Sequence, residues 1–158
     1  MNKLGIFMNF WEKNWDADHA KYIKKAANIG FDILEFQAQP LLEMTDEHIR
    51  SLRRLADDAG ITLTYSLGLD PRYDVSSLDE SVRTGGVKYL QNIVRKMHIA
   101  GGTLLSGVSY AGWGVPGKIM DNNLIRIISE AYMIKFHISI KTFYRYCVFF
   151  YGFFLFLI

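Results

Sequence analysis

Polar and aromatic side chains follow each of four apolar segments in the first 120 residues. In parallel α/β folds the functional site lies at the carboxyl ends of the strands, so these residues are the candidates for binding or catalysis. Aromatic faces beside amide and hydroxyl groups suit a sugar, which has apolar C–H faces and a rim of hydroxyls. Core and rim packing explains the aromatic residues equally well, and the residues alone leave both interpretations open. In chain order the four sets are Phe7, Asn9, Phe10, Trp11, Glu12 and Trp15; Glu35, Gln37 and Gln39; Ser66, Gly68 and Asp70; and Ser106, Gly107, Ser109, Tyr110 and Trp113.

Few titratable side chains are placed for catalysis. Glu35 lies at a strand end and could face a pocket, although a structural carboxylate bonded to its neighbours is the favoured interpretation. His19, His48 and His98 fall on predicted helices, so we expect each to be a surface or boundary residue. No His-x-x-x-His pair and no Ser-His-Asp or Cys-His constellation stands out. Cys147 is the only cysteine, which excludes an internal disulfide and a cysteine-rich metal motif.

The elements that must position these residues alternate in type. Apolar runs at 4–10, 31–36, 61–67 and 103–108 predict four strands. Three helices are expected between these strands. The first is capped by Asp16 or Asp18 and ends at Gly30, and the second is capped by Thr45 or Asp46 and ends at Gly60. The third begins with a Ser77–Glu80 capping box and ends at Gly101-Gly102. Helical crossovers of about 30 residues imply a parallel sheet. A flavodoxin-like or Rossmann sheet is also compatible, but no strand is followed by a Gly-x-Gly-x-x-Gly or P-loop turn.

Length and charge narrow the class of protein. A complete eight-unit barrel needs about 250 residues and rarely fewer than about 200, whereas this chain has 158. The net charge of +2 is too small to indicate nucleic acid as a partner. The N-terminus opens directly into a strand-like run with no secretory signal pattern, so a cytoplasmic location is expected.

The chain changes composition near residue 121. Acidic residues nearly vanish from 122 onward, and the last 13 residues, Tyr146 to Ile158, carry no charge and are rich in Phe, Tyr and Leu. Three interpretations stay open. The segment could be a membrane or interface anchor, although a helical span needs about 20 apolar residues, or a buried helix or strand, although its aromatic residues show neither a helical nor a strand period. It could also be an out-of-frame or read-through product, which fits the composition best. We therefore predict residues 1–120 to be the folded part and 121–158 to be an unmatched hydrophobic tail.

The front of the chain resembles a known family. Gly5-Ile6-Phe7, Trp11, Trp15 and the run Gly30-Phe31-Asp32-Ile33-Leu34-Glu35 look like the opening of the ketose 3-epimerases, which are xylose-isomerase-like barrels. Leu67-Gly68-Leu69, Tyr73-Asp74, Ser76-Ser77, Ser81-Val82-Arg83, Gly107 and Trp113 continue the match, which runs from Met1 to about Gly117. The resemblance implies the N-terminal half of a (β/α)8 TIM barrel, about four βα units, that acts on a free ketose. It assigns sugar contacts to Phe7, Trp15, Ser66, Gly107 and Trp113; in some relatives the position of Phe7 is Tyr and that of Ser66 is Cys or Gly.

The resemblance also implies what this stretch lacks. Family members use Mn2+ or Co2+ and move a proton at C3 through an enediolate, with two glutamates, an aspartate and a histidine on later strands. Those strands lie beyond the matched region, so we assign no catalytic and no metal-binding residue and expect this chain to bind no metal and to be inactive alone. Four strands leave two open edges, which predicts self-association or a complementing C-terminal half. The alternative is a non-catalytic half-barrel held at a membrane or a partner by its aromatic tail, although a membrane partner is not expected.

Overall fold

The computed structural model describes residues 2–113 and the backbone of two short segments near the C-terminus. The element order confirms the alternation that the sequence predicts for an α/β fold. The elements are β1 (Gly5–Phe7), α1 (His19–Ile29), β2 (Ile33–Gln37), α2 (Asp46–Asp58), β3 (Thr62–Ser66), α3 (Glu80–Ile99), β4 (Leu105–Ser106), β5 (Cys147–Phe150) and β6 (Phe153–Phe156).

The chain divides into two compact units. Unit 1 comprises Met1–Leu67 and Asn92–Leu105, and unit 2 comprises Gly68–Gln91 and Ser106–Ile158. Unit 1 carries the first three strands and the first two helices, so most of the residues that could bind a ligand at strand ends belong to it.

The sheet has the strand order β1-β2-β3-β4. β1 pairs in parallel with β2, and β2 in parallel with β3, in a register that aligns Phe7 with Glu35 and Gln37 with Ser66. This order agrees with strands joined by helical crossovers, since parallel neighbours cannot be linked by a tight turn.

The first two helices begin and end where the sequence predicts. The Asp18 carboxylate accepts a hydrogen bond from the backbone N–H of Lys21 at 3.2 Å, and the Thr45 hydroxyl oxygen accepts one from His48 N–H at 3.2 Å. Each cap satisfies a backbone donor that the first helical turn would leave without a partner. Gly30 is the C-cap of α1, which confirms its predicted role.

The core lies between these helices and one face of the sheet. Tyr22, Ile23 and Ala26 of α1 and Ile49, Leu52 and Ala56 of α2 are buried, as are Leu34, Phe36, Leu63 and Tyr65 of the central strands. These residues follow a helical period on α1 and α2 and a period of two on β2 and β3. The hydrophobic pattern therefore determines which face of each helix and strand packs into the core between helices and sheet.

A buried lysine ties α3 to the start of α2. Lys96 is only 8% exposed, and its ammonium donates hydrogen bonds to the Met44 carbonyl at 2.6 Å and to the Asp46 carboxylate at 2.9 Å. The hydrogen bond from Lys96, and to a smaller extent the neighbouring Arg95, hold the pKa of Asp46 below its usual range. This contact joins residues 50 positions apart and so fixes where α2 begins relative to the end of α3.

The predicted capping box at the start of α3 is wrong. The helix begins at Glu80, and the Asp79 carboxylate accepts hydrogen bonds from the N–H of Ser81 at 2.8 Å and from its hydroxyl at 2.7 Å. Ser77 instead accepts a bond from Asp79 N–H at 3.2 Å, which makes a turn before the helix. Asp and Ser compete for the same backbone donors, and here the acid nearer the helix caps it.

Two other predictions about strands need correction. The fourth strand, predicted over 103–108, is shorter and spans Leu105–Ser106. The lack of periodicity near the C-terminus counted against a strand there, yet β5 and β6 form an antiparallel pair that aligns Cys147 with Phe156. Four-residue strands are too short for blocks of aromatics to reveal a period.

The prediction that His19 is a surface or boundary residue is wrong. Its side chain is 3% exposed, and its ring lies 4.3 Å from that of Phe36, centroid to centroid. Burial lowers the pKa of His19, a hydrogen bond to the Ala17 carbonyl opposes this, and His48 lowers it further. His19 precedes the buried residues of α1 by one helical turn, so it shares their face. His48 and His98 are exposed, as predicted.

Candidate functional site

The face of the sheet opposite the helices is polar in unit 1. Phe36 contacts His19 of α1, and Tyr65 lies beside Phe36 with ring centroids 6.4 Å apart. Because side chains alternate across a strand, Glu35 and Gln37 of β2 project from the other face, and so do Thr64 and Ser66 of β3. We call this second face, with Phe7 of β1 aligned beside Glu35, the inner face.

Three buried oxygen atoms at the carboxyl ends of β1, β2 and β3 lack a hydrogen-bond partner among the described residues. They are Asn9 Oδ1, Gln37 Oε1 and Ser66 Oγ. Asn9 still donates from Nδ2 to the Glu12 carbonyl at 3.0 Å, which leaves its oxygen as an acceptor. A buried polar atom without a partner costs roughly 1–3 kcal/mol, so such atoms are expected to be satisfied by water or by a ligand.

The loop after β1 is held in place by Glu12. Its carboxylate accepts hydrogen bonds from the N–H groups of Lys13 at 2.9 Å and Asn14 at 3.1 Å, and from the Tyr22 hydroxyl at 2.8 Å. The bond from Asn14, the largest contribution, and the bond from Tyr22 lower the pKa of Glu12. The Glu12 carboxylate therefore shapes the loop after β1.

Aromatic residues of this loop divide into docked and exposed ones. Trp11 stacks on Tyr22 with centroids 6.1 Å apart, and the Lys25 ammonium lies 4.5 Å from the Trp11 ring. Phe10 and Trp15 remain exposed, Trp15 by 44%. The docked pair fixes the loop, and the exposed rings are free to contact a ligand.

In unit 2 the indole of Trp113 rests directly on Gly68. A Cβ atom at Gly68 would overlap the Trp113 ring, so only glycine allows this contact. The backbone N–H of Trp113 donates to the Leu69 carbonyl at 2.7 Å, and Leu69 N–H donates to the Val108 carbonyl at 2.9 Å. With one face on Gly68, Trp113 is still 56% exposed and presents a flat apolar surface.

Gly107 also depends on being glycine. Its φ of 96° lies in the left-handed region, where a Cβ is strained. Its carbonyl accepts a bond from Ser109 N–H at 3.1 Å, which closes a tight turn after β4.

The structure distributes the five predicted sugar contacts between the two units. Phe7 and Ser66 belong to the inner face of unit 1, Trp15 lies in the exposed part of the loop after β1, and Gly107 and Trp113 belong to unit 2. Their role in binding stays a prediction. The sequence places Gln37 at the end of a predicted strand and gives it no role in a site; the alignment of Gln37 with Ser66 in the sheet is what singles it out.

The described residues do not provide a metal site. No group of three or more His, Cys, Asp or Glu side chains among them is placed to hold an ion. Glu35 is the acid of the inner face, and a single carboxylate is not a donor set for Mn2+ or Co2+. We therefore derive no metal-dependent step from this part of the chain. Within the same residues, no helix is long and apolar enough to cross a membrane.

Comparison with known proteins finds relatives for the front part of the chain. No family model matches the chain. The D-psicose 3-epimerase of Ruminiclostridium cellulolyticum is 34% identical over 113 residues, which are 72% of this chain and 39% of that protein. The D-psicose 3-epimerase of Agrobacterium fabrum is 37% identical over 109 residues, which are 66% of this chain and 38% of that protein. Over the matched residues, this chain is a homologue of the ketose 3-epimerases.

The solved structures agree on the fold of this ketose 3-epimerase relative. A crystal structure of D-psicose 3-epimerase with D-tagatose from Clostridium cellulolyticum H10 matches with a TM-score of 0.77 and 31% identity, covering 85% of this chain and 47% of that one. The neighbours are TIM barrels with the xylose-isomerase-like fold, so the described α/β unit corresponds to a half-barrel, as predicted. The chain spans about two fifths of the length of the curated relatives that it matches.

Proposed function

We propose that residues 1–120 are the sugar-binding part of a ketose 3-epimerase, followed by an unmatched segment at 121–158. In this proposal the 158-residue chain binds a free ketose and does not turn it over by itself. The observation that supports it most is the group of buried oxygens without partners on the inner face, in a chain homologous to ketose epimerases.

The proposed binding uses different chemistry in each unit. In unit 1, Phe7 and Trp15 contact the C–H face of the sugar, and the Ser66 hydroxyl bonds one of its hydroxyl groups. In unit 2, the exposed face of Trp113 stacks on a sugar ring or chain, and Gly107 keeps the backbone free of a side chain that would block approach.

Turnover needs groups that the described residues do not supply. The family resemblance implies that a bound Mn2+ or Co2+ would polarise the ketose oxygens and that acidic residues would move the proton at C3. We propose that a complementing C-terminal half provides these groups and adds strands at the open edges of the sheet. β1 and β4 are the outermost strands among those described in that sheet, so both edges are available for such pairing.

An activity assay tests the first part of the proposal. Purified chain is incubated with D-psicose and Mn2+, and formation of D-fructose, its C3 epimer, is followed by liquid chromatography. We expect no conversion above a protein-free control. Measurable epimerisation would show that the chain is a complete enzyme and would refute the proposal.

Complementation tests the second part. The chain is co-expressed with the C-terminal half of the R. cellulolyticum D-psicose 3-epimerase, and activity is measured on the purified complex. Restored conversion supports a split barrel, whereas a folded complex without activity contradicts it.

Sedimentation of the chain alone shows whether it self-associates instead. The proposal includes a cytoplasmic location, which fractionation of expressing cells tests.

A further inference from the structure

Gln37 is the most unusual side chain of the inner face. It is only 6% exposed, yet its Oε1 has no hydrogen-bond partner among the described residues. A buried amide normally has its acceptor satisfied, because folding removes the water that would otherwise bond to it. An acceptor left open in this way destabilises the folded protein unless something else binds to it.

The neighbouring strand also ends with a buried oxygen atom that has no hydrogen-bond partner among the described residues. Gln37 ends β2 and aligns with Ser66, which ends β3, and Ser66 Oγ is likewise buried without a partner. The two do not bond to each other, although aligned residues on adjacent strands have side chains on the same face. Two unsatisfied groups side by side at the carboxyl ends of parallel strands form a place where an external polar group can bond to both.

The chemistry of these groups limits what they can recognise. A carboxamide and a hydroxyl can each donate and accept, so together they suit a hydroxyl group, which does the same. The other described inner-face positions that align with them are Phe7, Glu35 and Thr64, and none of these carries a positive charge. The cluster therefore suits a neutral polyhydroxylated molecule better than a sugar phosphate, which binds at cationic side chains or helix N-termini.

We propose that Gln37 is a sugar-binding residue whose carboxamide, beside the Ser66 hydroxyl, hydrogen-bonds a hydroxyl group of the bound ketose. This inference rests on the proposed ketose binding and adds to it a residue to which the family resemblance gives no role. Gln37 binds and orients the sugar; it takes no part in proton transfer.

The test compares Gln37→Leu with the full wild-type chain. Leucine has a similar volume and no polar atom, so it removes the amide without opening a large cavity. Gln91→Leu is the matched control, because Gln91 is exposed on α3. Binding of D-psicose is measured by titration with NMR detection, and the midpoint of thermal unfolding is measured for each protein.

We expect Gln37→Leu to weaken D-psicose binding about tenfold, which corresponds to about 1.4 kcal/mol, while its unfolding midpoint stays equal or rises. Gln91→Leu should change neither quantity. The side-chain amide resonances of Gln37 should shift when the sugar is added to the wild type. A role in recognition gives this pairing of weaker binding with undiminished stability.

Each other outcome overturns a specific statement. If the wild type binds D-psicose and Gln37→Leu binds it equally well, the role of Gln37 is wrong and the proposed function stands. If Gln37→Leu binds less well but also unfolds at a lower temperature, the amide is structural and the inference is wrong. If the wild type does not bind D-psicose, the proposed ketose binding fails, and the inference that rests on it fails as well.

Discussion

Replacing Gly68 by alanine should displace Trp113. The indole lies where the new Cβ would be, with Trp113 Cδ2 2.9 Å from that position and two further ring atoms closer still. Real Cβ atoms do not approach other atoms so closely, so the ring or the backbone must move. The ring is the more mobile of the two, because it is 56% exposed on its other side.

The cost follows from the contact that would be lost. A tryptophan buries roughly 150–250 Å2 when fully enclosed, so the covered 44% of this side chain corresponds to about 65–110 Å2. At about 25 cal/mol per Å2, moving the ring into water costs about 2–3 kcal/mol. This is an upper value, since the unfolded chain already covers part of that surface. We therefore expect Gly68→Ala to destabilise the fold by about 1–3 kcal/mol and to weaken ketose binding.

Urea unfolding measures the stability, and the indole N–H resonance of Trp113, assigned with a Trp113→Phe variant, reports the position of the ring. Gly85→Ala serves as control, because a Cβ at Gly85 meets nothing within 4 Å. An alanine at residue 68 that leaves both the stability and the indole resonance at their wild-type values would refute the proposed contact.

Three further predictions concern stability. Gly85→Ala should stabilise α3 by about 0.5–1 kcal/mol, because a Cβ there meets no other atom within 4 Å. Gly86→Ala should destabilise the protein by about 1–3 kcal/mol, because its Cβ would overlap the backbone carbonyl of Tyr73. Equal unfolding midpoints for the two variants would contradict this. Lys96→Met should cost roughly 1–3 kcal/mol, because it leaves the Met44 carbonyl without its side-chain donor and leaves Arg95 as the remaining cationic partner of the Asp46 carboxylate. An unchanged urea midpoint would show that the contact is dispensable. Burial lowers the pKa of His19, so the unfolded chain takes up a proton more readily than the folded one. The free energy of unfolding should therefore be highest above pH about 6.5 and should decrease as the pH falls below that value. In unfolding measured as a function of pH, His19→Asn should flatten this decrease, whereas His98→Asn should leave it unchanged.

Local sequence was enough to predict the alternation of strands and helices. Helix starts at Asp18 and Thr45 and the helix end at Gly30 depend on hydrogen bonds within a few residues, which is the range over which sequence patterns act. The start of α3 was missed because Asp79 and Ser77 are both good caps, and the choice between them depends on where the preceding turn places each backbone N–H.

The family could also be inferred from the sequence, since its motifs keep their order along the first 117 residues and homology confirms them. The roles of Phe7, Trp15, Ser66, Gly107 and Trp113 stay predictions. The sequence marked these positions by resemblance, without showing what each side chain touches.

Burial and partners were decided by the tertiary structure. His19 is buried because the strand beside α1 places Phe36 under its ring. The pairing of Gln37 with Ser66 depends on the register between two strands that are 24 residues apart in the chain. The contact of the Trp113 ring with Gly68 joins residues that lie even farther apart in the chain. A sequence pattern records which face of an element is apolar, but it holds no information on which distant residue that face will meet, because the meeting is set by strand register and by packing between elements.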